Sequence, residues 1–176
     1  MDTQGFDFRD ARRHCMGWGL RAGVWWSGGF LCTVLAFRYP VLGNVGLLIG
    51  LLSVWRLGYL IKVFNWETGN TGWMRTWWMS FLTYIFCALV TTLVQYIWFR
   101  FYDNGMLAHE LELMLQVDAY RETLERVGTA DIDSMKAALG NLSMLTYGFL
   151  SVNISLGFIL SFPTMVFARI GLSKRS

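Results

Sequence analysis

Histidine is nearly absent from this chain. His14 and His109 are the only two, and the topology derived below sets them on opposite sides of a membrane, so a metal centre built on imidazole is not expected. The three cysteines, Cys15, Cys32 and Cys87, have no CxxC spacing, and two of them lie in apolar runs, which reads as buried thiols rather than a disulfide framework or a zinc site. Charged residues make up only 15% of the chain and the net charge is +3, with the basic side chains dispersed, so a nucleic-acid surface is not expected. No GxxxxGKS or GxxxxGKT loop, no GxGxxG and no HExxH occurs, and the Ser and Thr residues of the apolar runs have no base beside them. Glu110 and Glu112 face opposite sides of any helix that holds them. A solvated surface is the reading of His109 with those two carboxylates, and a surface proton or cation site is the alternative. These absences leave no catalytic, cofactor-binding or metal-binding residue to assign.

What the chain has instead is apolar length. Hydrophobic residues account for 55% of it and nine are Trp. The run TWWMSFLTYIFCALVTTLVQYIWF, residues 76–99, holds no charge. As a helix it would be about 36 Å long, enough to cross a hydrocarbon core of about 30 Å. Four such spans are expected in one membrane domain, over about 17–37, 41–61, 76–101 and 142–168. The fold class is therefore all-α and polytopic, and the lipid bilayer is the first partner.

The segment before helix 1 mixes Asp2, Asp7 and Asp10 with Arg9, Arg12 and Arg13, lacks a small-x-small cleavage signal, and is expected to stay attached on the cytoplasmic side. Helix 1 carries Arg21 one turn inside that end, where a long side chain can snorkel to headgroups. Gly19, Gly23 and Ser27 recur every four residues and make a face that another helix can approach closely. After the turn at Arg38, Tyr39 and Pro40, helix 2 carries Gly46 and Gly50 in GxxxG spacing, so helices 1 and 2 read as a close antiparallel hairpin. Arg56 is read as reaching up to phosphates, with an interior paired charge as the alternative. Trp66, Trp73, Trp77 and Trp78 around the next connection form an interfacial belt, with Lys62 and Arg75 as anchors.

Helix 3 contains Gln95 near its outer end, read as solvated at the interface, an intramembrane site being the alternative. Between Tyr102 and Asn141 lie eight of the twelve acidic residues. Leu113, Val117, Tyr120, Leu124 and Val127 recur at helical steps; Gly128 marks a stop, and Ile132, Met135, Leu139 and Leu142 mark a second helical face. A helical hairpin over about 105–139 is expected outside the bilayer. Its apolar stripe must be buried against its mate in the hairpin, a second protomer, another protein or the membrane surface; because it exposes Glu and Asp rather than Lys and Arg, packing against protein is the reading. Helix 4 contains Pro163, expected to bend it or free a carbonyl. Asn153 is its most deeply placed polar residue, read as an interhelical hydrogen bond, with a substrate path as the alternative; Ser151, Ser155 and the nearby Gly157 are read as a further small-residue packing face. Ten Lys or Arg flank the N-terminal segment, the 2–3 connection and the C-terminal tail, against five on the other side, so both termini are expected in the cytoplasm.

The exit from helix 3 (WFRFYDNGMLAHELE), the turn VGTADIDSMKAAL and the last span NISLGFILSFPTMVFAR, in that order after two close helices, resemble the DUF4199 family of bacterial four-span membrane proteins. That resemblance implies a bacterial inner membrane, of the Bacteroidetes group, and implies no activity. The function expected is a non-enzymatic structural or accessory subunit acting through helix packing and its acidic hairpin; the alternative is a small oligomeric transporter or channel built on Arg56, Gln95 and Asn153.

Overall fold

A computed structural model describes residues 7–69, 72–103, 105–106, 109, 113 and 141–170. These residues form four long helices: α1 (Phe8–Leu35), α2 (Val41–Glu67), α3 (Trp73–Phe101) and α4 (Leu142–Arg169). Among the described residues three of them, α2, α3 and α4, are long and apolar enough to cross a membrane. The fourth, α1, is 28 residues long, but its apolar part is diluted by Arg21 and five glycines. Composition alone therefore supports three spans where the sequence led us to expect four.

Helix ends follow local chemistry. Asp7 begins α1, its carboxylate accepting the Arg9 backbone N–H at 2.8 Å, which ties down one of the free donors of the first turn. The helix therefore starts well before the apolar run and takes in Arg9, Arg12 and Arg13. Pro40 precedes α2 with its φ of −54° already helical, as the ring requires. Beyond the expected stop near 61, α2 continues to Glu67 and ends through Gly69, whose φ of 63° suits a residue without a Cβ. Asn141 begins α4, its side-chain oxygen accepting from the N–H groups of Ser143 and Met144 at 3.1 and 3.3 Å. The helix runs unbroken through Pro163, which is exposed.

The chain divides into two compact units, Met1–Thr92 with Leu150–Ser176, and Leu93–Phe149. In the smaller unit Phe99 stacks on Phe149 with ring centroids 5.1 Å apart, and Trp98 on Tyr102 at 5.6 Å. The helical hairpin expected over about 105–139 lies outside the described residues, apart from 105, 106, 109 and 113.

The larger unit holds the core. Of the three span-length helices α3 is the most enclosed, 44% of its most apolar stretch being buried, against 28% for α2 and 22% for α4. Around it lie two apolar clusters: Ala11, Cys15, Phe64 and Met79 near the basic end, and Ala22, Leu57, Tyr84 and Cys87 deeper in. Large side chains such as Leu47, Leu51, Trp55, Leu89, Val152 and Ile159 are exposed on the outside. An exterior this apolar on helices of this length is suited to lipid.

Candidate functional site

The close contacts between helices are made by glycine. A Cβ on Gly19 would stand 2.5 Å from the Thr83 carbonyl oxygen and 2.6 Å from the Phe86 Cβ, and one on Gly23 2.6 Å from the Val90 Cβ. The Gly19/Gly23 face of α1 is thus the seat of α3. Gly46 of α2 meets α1 at Gly29, whose carbonyl oxygen would be 2.8 Å from a Cβ at 46. Gly157 of α4 lies on the Tyr84 side chain, and Gly58 of α2 on the Phe167 ring. Without side chains at these points, dispersion contacts form along whole helix faces.

The polar core lies along the same helix. On α3, Thr76, Ser80, Thr83 and Thr91 are buried at steps of four, three and eight, with Thr92 beside them. Ser80, Thr83 and Thr91 donate to the carbonyls of Thr76, Met79 and Cys87 at 2.9, 2.8 and 3.0 Å, returning their hydroxyls to their own helix. Side chains also pair between α3 and its neighbours: Asn65 Nδ2 donates to Thr76 Oγ1 at 3.1 Å, Tyr84 OH and Thr164 Oγ1 share a bond of 2.8 Å, and Asn153 Nδ2 donates to Thr92 Oγ1 at 3.0 Å. Another such pair joins α1 to α2, where Trp26 Nε1 donates to Ser53 Oγ at 2.7 Å while Ser53 donates to the Gly50 carbonyl. Each end of the core is therefore pinned by a directional bond between apolar layers. At the basic end, the Arg169 guanidinium lies 4.6 Å from the Trp73 ring centroid and the Lys62 ammonium 6.0 Å from that of Phe167.

The residues singled out from sequence are dispersed. Asn153 is buried and bonded to α3. Gln95 is also buried, where interfacial solvation was expected. Arg56 is exposed, its guanidinium carbon 5.7 Å from the Trp25 ring centroid. Gly19, Gly23 and Gly46 sit at close contacts, but Gly50 has open space where a Cβ would be, so the GxxxG pair is half used. Ser151 and Ser155 are exposed. Of the expected small-residue face only Gly157 packs; the buried face of α4 is Asn153, Gly157, Ser161, Thr164 and Ala168. Two residues of offset turn an α-helix by about 200°, which puts 151 and 155 on the far side from 153 and 157.

The residues that sequence reasoning passed over are Asn65, Tyr84, Thr164 and the α3 hydroxyls. The signal of the α3 hydroxyls was spacing: Thr76, Ser80, Thr83, Cys87 and Thr91 recur at steps of four, three, four and four, one face of one helix. Among the described residues no three His, Cys, Asp or Glu side chains gather closely enough to share an ion.

Helices of this length and apolarity, closed by glycine contacts and buried hydroxyls, define an all-helical protein of membrane-spanning character. Residues 17–169 match the model of one family, and the chain belongs to it: Protein of unknown function (DUF4199). No curated protein and no solved structure matches the chain.

Proposed function

We propose that the chain is a multi-pass protein of a bacterial inner membrane in which α1 is a fourth span, both termini are cytoplasmic, and the acidic segment of about 105–139 projects from the other face as a helical hairpin. Its role on this reading is structural: a non-enzymatic accessory subunit that presents the hairpin to another protein or to a second copy of itself. Support for α1 as a span comes from its seat. Gly19 and Gly23 lie against Thr83, Phe86 and Val90, in the uncharged stretch of α3, and a helix seated there shares the depth of its neighbour.

The observation that carries the accessory role is the state of the buried polar groups. Asn65, Ser80, Thr83, Tyr84, Thr91, Asn153 and Thr164 are bonded to an adjacent helix or to their own backbone. The transport alternative needs Asn153 and Arg56 to face one path, whereas Asn153 is closed onto Thr92 and Arg56 lies on the outside against Trp25. Polar groups arranged in this way hold helices together.

The test is photocrosslinking from residues of the 105–139 segment in native membranes. A defined partner, or a defined dimer, is expected; free monomer at every position would remove the accessory role. Solute or ion flux in proteoliposomes that Asn153→Ala abolishes without unfolding the protein would replace it with transport.

A further inference from the structure

Among the described residues, two arginines of the larger unit have no acid close to them along their helices. Arg21 of α1 and Arg56 of α2 line one cleft of about 140 Å³, together with Trp18, Trp25 and Leu60. The Arg56 guanidinium is held against the Trp25 ring at 5.7 Å. In the larger unit the described carboxylates are Asp7, Asp10 and Glu67. Asp10 is the nearest of them along α1 to Arg21, and Glu67 the nearest along α2 to Arg56, each eleven residues away, which is about 16 Å of helix. Asp10 already faces His14 at 3.7 Å. The described parts of α3 and α4 in this unit carry no acid. Two positive charges therefore share one opening, with no counterion supplied by the described chain. A guanidinium in that position wants an anion with several acceptor oxygens, which its planar fork matches two at a time.

We propose that this cleft binds the phosphate of one anionic phospholipid of the cytoplasmic leaflet, an inference that rests on the membrane placement proposed above. Phosphate is the chemistry recognised, and lipid is its source. The cleft opens at the side of the helices: Arg21, Trp25 and Arg56 are exposed, and Leu52 and Tyr59, one turn on either side of Arg56, are exposed as well, offering apolar surface along which acyl chains can lie. Ser53, the hydroxyl in the lining, is engaged with Trp26 and Gly50, so recognition falls to the two guanidinium groups. By contrast, Arg9 and Arg12 line a second cleft in the first turns of α1, beyond the apolar run, where water and salt screen them. They supply a control of equal charge.

The experiment is lipid titration of the purified full chain in detergent, read by native mass spectrometry, with phosphatidylglycerol, phosphatidylcholine and, as the soluble arm, glycerol phosphate. One phosphatidylglycerol per chain should bind in preference to phosphatidylcholine, and glycerol phosphate at millimolar concentration should not displace it. Arg21→Gln and Arg56→Gln should each weaken binding by about fivefold, the value of one arginine at an anionic headgroup. Arg9→Gln with Arg12→Gln should leave it unchanged. Equal binding of the two lipids by the unaltered protein, which needs no variant to fold, would overturn the proposal, and so would equal losses in both sets of variants. Displacement by glycerol phosphate would overturn the lipid source. Alkaline carbonate separates the two levels of the argument: release of the protein from vesicles removes the membrane placement itself, whereas retention with no lipid preference removes this site alone.

Discussion

Replacing Gly19 by Ala adds one methyl group at the tightest helix contact in the core. That methyl carbon would lie 2.5 Å from the Thr83 carbonyl oxygen, 2.6 Å from the Phe86 Cβ and 3.3 Å from the Cys87 nitrogen. Two of these three are backbone atoms and the third is fixed to the backbone, so no rotamer change relieves the clash. To restore an ordinary contact of 3.4 Å, α1 must move off α3 by about 0.9 Å. A gap of that size forfeits about a quarter to a half of the dispersion energy along the seam. It also strains the longest polar contacts there, Thr91 Oγ1 to the Gly23 carbonyl at 3.4 Å and Cys15 Sγ to the Met79 carbonyl at 3.5 Å. Overpacking of this kind costs about 1–3 kcal/mol. The helix itself gains about 0.5–1 kcal/mol when Gly becomes Ala. Gly28→Ala isolates the packing term, because nothing lies within 4 Å of a Cβ there and the helix gain is shared. Unfolding in mixed micelles by increasing dodecyl sulfate, followed by Trp fluorescence, should therefore show Gly19→Ala about 1–3 kcal/mol less stable than Gly28→Ala. Equal stability of the two variants would refute the seating of α1 on α3.

Other substitutions test the polar bonds and the faces. Tyr84→Phe leaves the Thr164 hydroxyl without its partner and should cost about 0.6–1.7 kcal/mol in the same assay, with Tyr84→Phe and Thr164→Val together costing less than the sum; strict additivity would contradict the bond. Asn153→Ala should cost a similar amount while the protein stays folded, since it removes the link to Thr92; complete unfolding would show a larger role. Gly157→Leu should prevent α4 from docking on Tyr84, whereas Ser155→Leu, on the exposed side, should be tolerated, and the reverse order of stabilities would invert the face assignment. Cys15 and Cys87, both fully buried, should react with maleimide only on unfolding, and rapid labelling of the folded protein at either site would contradict the core.

The apolar runs of α2, α3 and α4 were the most legible property, because an uncharged run reports its preferred solvent directly. Gly19, Gly23 and Gly46 were legible for a related reason, small residues at four-residue intervals being useful only where backbones approach. The same rule misled at Ser151 and Ser155. Small residues occur on two faces of α4, and only the presence of Tyr84 opposite Gly157 decides between them. The α3 hydroxyls were visible in spacing but silent in hydropathy, since a Ser or Thr bonded to its own helix hardly alters the polarity of a span. Likewise the start of α1 was set by Asp7 as an N-cap, a hydrogen-bonding signal, and not by the onset of apolar residues. Gln95 shows the limit of depth as a guide: position along a helix says how far a side chain is from water, but its azimuth says whether it meets any.

The central claim, that four helices including α1 cross the bilayer, is tested by impermeant thiol labelling of single-cysteine reporters in spheroplasts. Asp7→Cys and Tyr39→Cys bracket α1. The account predicts that Tyr39→Cys labels in intact cells and that Asp7→Cys labels only after the membrane is permeabilised. Labelling of both from the same side would show that α1 does not cross.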